Sequence, residues 1–191
     1  MKIFQYLKTL KSWHPNIYEI YAEDIIEKMA EGKEGLYFIK HHTNNLYVYR
    51  GNTEIDLNHC ELNNMTVYEL EYGGGPLIGS DVDLSFGFIY PGENPDASMI
   101  ALFALTDIFK KYGLNAVVSG NDILVDGEKV VGSFVKADKD KTIWCAQISF
   151  RDYSNHIKAL CTKPKFKKPG YIKEHQLSRM QLKQDIIKFF K

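Results

Sequence analysis

Alternating apolar and polar positions are densest between residues 115 and 150. Residues 115–119, 123–125, 130–136 and 142–150 read as four short strands in a meander. Asp126-Gly127 joins the middle two, and a two-residue type I′ turn needs φ > 0 at both of its central positions. Counting back from that turn predicts Val125 opposite Glu128, Leu124 opposite Lys129, Ile123 opposite Val130 and Asp122 opposite Val131. Side chains alternate along a strand. Asp122, Leu124, Lys129, Val131 and Ser133 then share one face, and Ile123, Val125, Val130 and Phe134 share the greasier one. Lys129 sits diagonal to Asp122, with backbones about 7–8 Å apart, within reach of a long side chain. Gly132 leaves the backbone open to close approach.

Helical spacing of Ile17, Ile20, Tyr21, Ile25 and Met29 predicts a helix over 17–31, capped by Asn16 and ended by Gly32. Residues 36–39 and 46–49 read as two strands of a hairpin turning at Asn44-Asn45, with Arg50 at the strand end. Residues 55–64 suggest a short helical turn. Residues 65–72 form a strand that runs into Gly73-Gly74-Gly75, and 83–90 form another. Met99, Leu102, Phe103, Ile108, Phe109 and Tyr112 give a helix over 96–112 its apolar stripe, and Gly113 stops it. A short helix over 154–160 and a terminal helix over 173–190 follow. Between them, 163–169 reads as a solvated basic, proline-rich linker, with anion contact as its functional alternative. The order predicts one α+β domain over 1–191, with a mixed, mostly antiparallel sheet packed by helices.

Composition narrows the function classes. The 191 residues carry 24 Lys+Arg against 24 Asp+Glu, so net charge gives no electrostatic case for nucleic acid or an anionic membrane. Hydrophobic residues at 45% suffice for a sizeable core. Cys60, Cys145 and Cys161 are an odd set without Cys-x-x-Cys, so free thiols in a reducing compartment are expected. The histidines show no metal-ligand spacing, and adjacent His41 and His42 would point to opposite faces of a strand. No long uncharged apolar run opens the chain, so a cytoplasmic protein without a membrane span is expected.

Two stretches carry chemistry. Three glycines after a strand cost backbone entropy, which a ligand lying against free N–H groups would offset. Asn121-Asp122-Ile123 followed by Lys129-Val130-Val131-Gly132-Ser133 puts an acid and a lysine on one face. Together with the order of elements, these stretches resemble the lipoate–protein ligase and octanoyltransferase group of the biotin/lipoate ligase superfamily, over about residues 17–160. The resemblance implies that Lys129 is catalytic. It implies that Gly73, Gly74, Gly75, Asn121, Asp122, Gly132, Ser133 and Arg50 bind the substrate or its adenylate, with Mg²⁺ at Asp122. ATP and lipoate or octanoate would be the small molecules, and an acceptor domain bearing a target lysine the partner.

The chain also departs from that pattern. Glu69-Leu70 stand where the family has two arginines, and Gly79 stands where it has a histidine. Val82-Asp83 replace its Gly-Asn, and the small C-terminal accessory domain of many lipoate ligases is not expected. Arg50, Lys136 or the lysines of 163–168 could replace the lost cations. An ATP-independent transferase would need a cysteine nucleophile. None stands before the lysine hairpin or within Lys168-Pro169-Gly170, which leaves Cys161 ahead of Cys145. A non-catalytic binding relative is the remaining alternative.

Overall fold

The computed structural model describes residues 13–24, 31–42, 45–51, 53–69, 76–161 and 167–190. Its main sheet has seven strands. In chain order they are β1 (Ile17–Tyr21), β2 (Gly35–Lys40), β6 (Leu84–Pro91), β7 (Ala116–Ser119), β8 (Asp122–Val125), β9 (Glu128–Ala137) and β10 (Lys141–Ile148). Their spatial order is β1-β2-β6-β10-β9-β8-β7. Only β1 and β2 run parallel; every other neighbour is antiparallel. A second sheet has β3 (Leu46–Arg50) between β4 (Met65–Glu69) and β5 (Leu77–Gly79). A 3-10 turn (Ala22–Asp24) and four α-helices complete the described elements: α1 (Leu57–Leu62), α2 (Ala97–Lys111), α3 (Ser154–Leu160) and α4 (Arg179–Phe189).

The strand period of two sorts the core into layers. From β6 and β10, Phe86, Phe88, Trp144 and Ile148 enter the cluster that also holds Leu102 and Phe109 of α2 and Ile186 of α4. Burying each such side chain stabilises the fold by about 1.5–3 kcal/mol. The intervening residues of these strands, and of β2, face the other way. Tyr37, Ile39, Ile89, Ile143 and Cys145 pack against Tyr47 and Tyr49 of β3. The far side of the small sheet, through Val48 and Ile78, packs on Cys60 of α1 and Leu160 of α3. The small sheet is thus a cover over one face of the large one.

Most local expectations hold, and those that depend on long-range pairing need correction. The meander, the short helices and the helix after Asn94 are present, and Asp126 (φ 51) with Gly127 (φ 82) makes the left-handed turn. Residues 17–21 are a strand, not the start of a helix. Leu36 N donates to Asn16 O at 2.8 Å, and β1 lies along β2 with only Tyr18 and Ile20 half-buried, a period of two. Residues 25–30 lie outside the described residues. The expected hairpin between 36–39 and 46–49 does not form: β2 joins β6 in the large sheet while β3 centres the small one. In α2, Met99 and Phe103 are exposed, and the alanines and Ser98 bury instead because the helix lies flat on the sheet. The terminal helix is shorter than 173–190, starting at the Ser178 cap.

Candidate functional site

A bulge sets the geometry of the lysine hairpin. Leu124 pairs with Lys129 as counted, but Ile123 pairs with Val131 and Asp122 with Gly132. Val130 is the extra residue, and a bulge lets two consecutive side chains serve one side. Val130 and Val131 are accordingly both buried in the helix-facing core. This corrects the placement of Val131 beside Lys129. It also puts Asp122 directly beside Gly132 on the covered face.

Gly132 is where the lysine lies down. A Cβ there would collide with Leu77 Cδ1 of the small sheet and would stand 3.1 Å from Lys129 Cε and 3.2 Å from Nζ. Only glycine leaves room for the Lys129 side chain to cross the backbone. Its ammonium then reaches Asp122 Oδ1 at 3.0 Å. Asn121 and Ser133 close the other end of the hairpin. Ser133 donates its N–H (3.0 Å) and its hydroxyl (2.7 Å) to the Asn121 carbonyl. Ser133 therefore fixes the strand end, from the face opposite Gly132.

Residues 167–170 are not a solvated linker. Lys129 N donates to Lys168 O at 2.7 Å, and Gly170 N donates to Lys129 O at 2.8 Å. This pairs the segment with Lys129 itself. Lys167 Nζ donates to Asp122 Oδ2 at 2.7 Å and to the Ser119 carbonyl, while the Lys168 ammonium pairs with Glu128. Asp122 thus holds one lysine on each oxygen. The half of this segment below residue 167 lies outside the described residues.

One rung of the sheet carries the polar side chains onward. Register places Ser85, Gln147, Gly132 and Asp122 side by side on β6, β10, β9 and β8. Gln147 is buried; its Nε2 donates to the Ile78 carbonyl at 2.5 Å, and its Oε1 has no hydrogen-bond partner among the described residues. Ser85 hydroxyl lies 3.2 Å from Tyr47 Oη and 3.4 Å from His41 Nε2, and the His41 ring stacks on Tyr47 at 3.5 Å. Tyr47 and Gln147 also occupy the space into which a Cβ of Gly79 would project. His42 stacks on Tyr21, so the two histidines do diverge.

Asp83, beside this rung, is buried and accepts from Ser80 N (2.9 Å), Phe150 N (2.7 Å) and Tyr153 Oη (2.5 Å). Burial outweighs those hydrogen bonds and raises its carboxyl to about 6. Asp83 ties β5, β6 and α3 together.

The remaining residues singled out by sequence are placed as follows. Arg50 ends β3 and pairs with Glu69 across the β3–β4 ladder, so the acid at a position where arginine was anticipated neutralises it. Lys136 pairs with Asp138 at 3.5 Å. Gly73, Gly74 and Gly75 lie outside the described residues. Mg²⁺ finds no protein cage: both oxygens of Asp122 face ammonium groups, and no cluster of three His, Cys, Asp or Glu side chains forms among the described residues. Cys145 is buried, which pushes its thiol up to about 12, and burial also raises Cys161. No helix among the described residues is long and apolar enough to cross a membrane.

No pattern in the sequence points to Gln147, Ser85 or the His41–Tyr47 stack, and Asp83 stands out only as the residue in place of the family's asparagine. The sequence marks Lys167 only among several lysines. The one usable cue was Lys-Pro-Gly at 168–170, a segment too short and rigid to be a plain linker.

No protein-family profile matches the sequence, and no curated protein is similar to it. Solved structures are. A bipartite lipoate protein ligase of Thermoplasma acidophilum, studied with its E2 lipoyl domain, has a TM-score of 0.75 at 16% identity over 93% of this chain and 82% of that one. A lipoate-protein ligase A bound with ATP gives 0.75 at 17% identity, over 93% and 84%. The biotin protein ligase of Aquifex aeolicus with biotin and ATP gives 0.56 at 15% identity, over 92% and 68%. The long helix, the lysine hairpin and the small covering sheet are thus arranged in the catalytic-domain fold of the lipoate and biotin protein ligases.

Proposed function

We propose that this protein is a lipoate-protein-ligase-like acyltransferase that activates a carboxylic acid with ATP and passes the acyl group to a lysine of an acceptor domain. The observation that carries the reading is the Lys129 ammonium, laid across Gly132 and held 3.0 Å from Asp122 on the covered face of the sheet. In the first step a carboxylate oxygen bonds to the α-phosphorus of ATP and pyrophosphate leaves. Negative charge crowds at that phosphorus, and a fixed ammonium lowers the cost of gathering it. In the second step the acceptor's neutral amine bonds to the acyl carbon and AMP leaves. The amine's proton passes to solvent. Asp122 orients Lys129; among the described residues nothing completes a protein site for Mg²⁺. The fold's occurrence in lipoate protein ligases, one bound with ATP and one studied with its E2 lipoyl domain, supports this reading.

A second reading is a binding protein that kept the hairpin and lost catalysis. It is favoured by Glu69 neutralising Arg50 and by Tyr47 and Gln147 filling the space beside Gly79. A cysteine-dependent transferase has less support: the segment paired with Lys129 holds no thiol, and the Cys145 thiol is buried.

Thermal-shift measurements with lipoate, octanoate and biotin, each with and without Mg-ATP, separate these. Stabilisation that needs acid and nucleotide together marks the ligase. No response to any pair contradicts it and favours the binding protein.

A further inference from the structure

Lys167 is not where a solvated lysine would be. It is one residue from a backbone pairing with Lys129, and its ammonium sits on Asp122 Oδ2 while Lys129 sits on Oδ1. Its neighbour Lys168 turns away to Glu128. The Lys129 and Lys167 side chains are 31% and 37% exposed, whereas Asp122 is 16% exposed. Each lysine side chain is therefore more open to solvent than the carboxylate between them, although the Lys167 ammonium also donates to the Ser119 carbonyl. An incoming anion can join the two lysines without displacing Asp122.

Charge decides what kind of anion fits. Lys168 is cancelled by Glu128 and Arg50 by Glu69. Among the described residues, two ammoniums and one carboxylate meet at Asp122, leaving one net positive charge. A monoanion balances that charge; the triphosphate of ATP carries more and must bring its own cation. Stability does not require the arrangement, because a partly exposed ion pair contributes about 0–1 kcal/mol and a lysine loses up to about 2 kcal/mol of rotamer freedom when ordered.

We propose that Lys167 is the second cation of this site and, with Lys129, grips the single negative charge of the acyl donor. The proposal rests on the ligase reading above. The charge is either the free carboxylate or the phosphate of the acyl-adenylate formed after activation, and both present a pair of oxygens that share one negative charge. Lys167 would then supply the positive charge that Glu69 and Leu70 do not.

The test is calorimetric titration of the full chain with lipoate alone and with lipoate plus Mg-ATP. Lys167→Met is expected to weaken binding about tenfold or more, the loss of one charge-assisted hydrogen bond. Lys167→Arg restores most of it. Lys168→Met, on the same segment, leaves it unchanged, and melting temperatures stay together. A loss in the acid-only arm assigns Lys167 to the carboxylate; a loss confined to the nucleotide arm assigns it to the phosphate of the acyl-adenylate. Wild-type affinity in Lys167→Met, or an equal loss in Lys168→Met, overturns the proposal while Lys129→Met still abolishes binding. If Lys129→Met also binds as wild type, or the wild type binds neither ligand, the ligase reading falls and this inference falls with it.

Discussion

The Lys129 ammonium stands 3.0 Å from Asp122 Oδ1 because a bulge at Val130 moves Asp122 opposite Gly132. Without the bulge Asp122 would face Val131, one residue out of register. The same bulge turns both valines into the core, so packing on one face holds the acid–lysine pair on the other.

That separation of roles predicts the behaviour of Lys129→Ala. The pair is partly exposed, and such pairs contribute about 0–1 kcal/mol, so the melting temperature should move by only a few degrees. Acyl transfer should fall by at least about a hundredfold, the usual effect of removing a charge-stabilising group. Full activity, or an unfolded variant, would contradict the role.

Gly132→Ala should do the reverse in part. The new methyl meets Leu77 and crowds Lys129, and overpacking of this kind costs about 1–3 kcal/mol. Chemical denaturation should show that loss together with reduced turnover. A variant as stable and active as wild type would mean that Leu77 and Lys129 move freely.

Stability should depend on pH through Asp83. Its carboxyl is raised by burial from 3.8 to about 6, so the folded state holds the proton more tightly than the unfolded chain. Stability from this group is complete below pH about 4 and is lost as pH rises to about 6. Each pH unit in that window costs about 1.4 kcal/mol, about 3 kcal/mol in all. Asp83→Asn should flatten that slope while lowering the plateau, because an amide cannot accept on both sides. Urea unfolding between pH 4 and 7 reads both effects.

Thiol alkylation should leave activity intact. Cys60 and Cys145 are buried and Cys161 is half-buried with its thiol raised, so none forms thiolate readily. Iodoacetamide at mild alkaline pH should label native protein slowly and without inactivation. Rapid inactivation with label on Cys161 would revive a thioester route.

What could be read from residues alone follows the range of the signal. Asp126-Gly127, the stripe of α2 and the stop at Gly113 are local devices, and each led to the right element. The strand at 17–21 is ambiguous in the sequence because Ile17, Ile20 and Tyr21 also fit helical spacing. Only pairing with β2, distant in sequence, decides between them. The partners of β2 and β3 are hidden for the same reason: proximity in sequence suggests a hairpin that the two-sheet architecture does not allow. At the site, Lys129, Asp122 and Gly132 were legible because one hairpin carries all three. Lys167, Gln147 and Asp83 arrive from elsewhere in the chain, and no spacing rule brings them to it.

The central claim is that Lys129 serves formation of an acyl-adenylate. Lipoate-dependent exchange of labelled pyrophosphate into ATP reads that step without any acceptor domain. The account predicts exchange by the wild-type protein that requires lipoate or octanoate and is lost in Lys129→Met with the fold intact. Absence of exchange with any acid, or exchange undiminished in Lys129→Met, would contradict it.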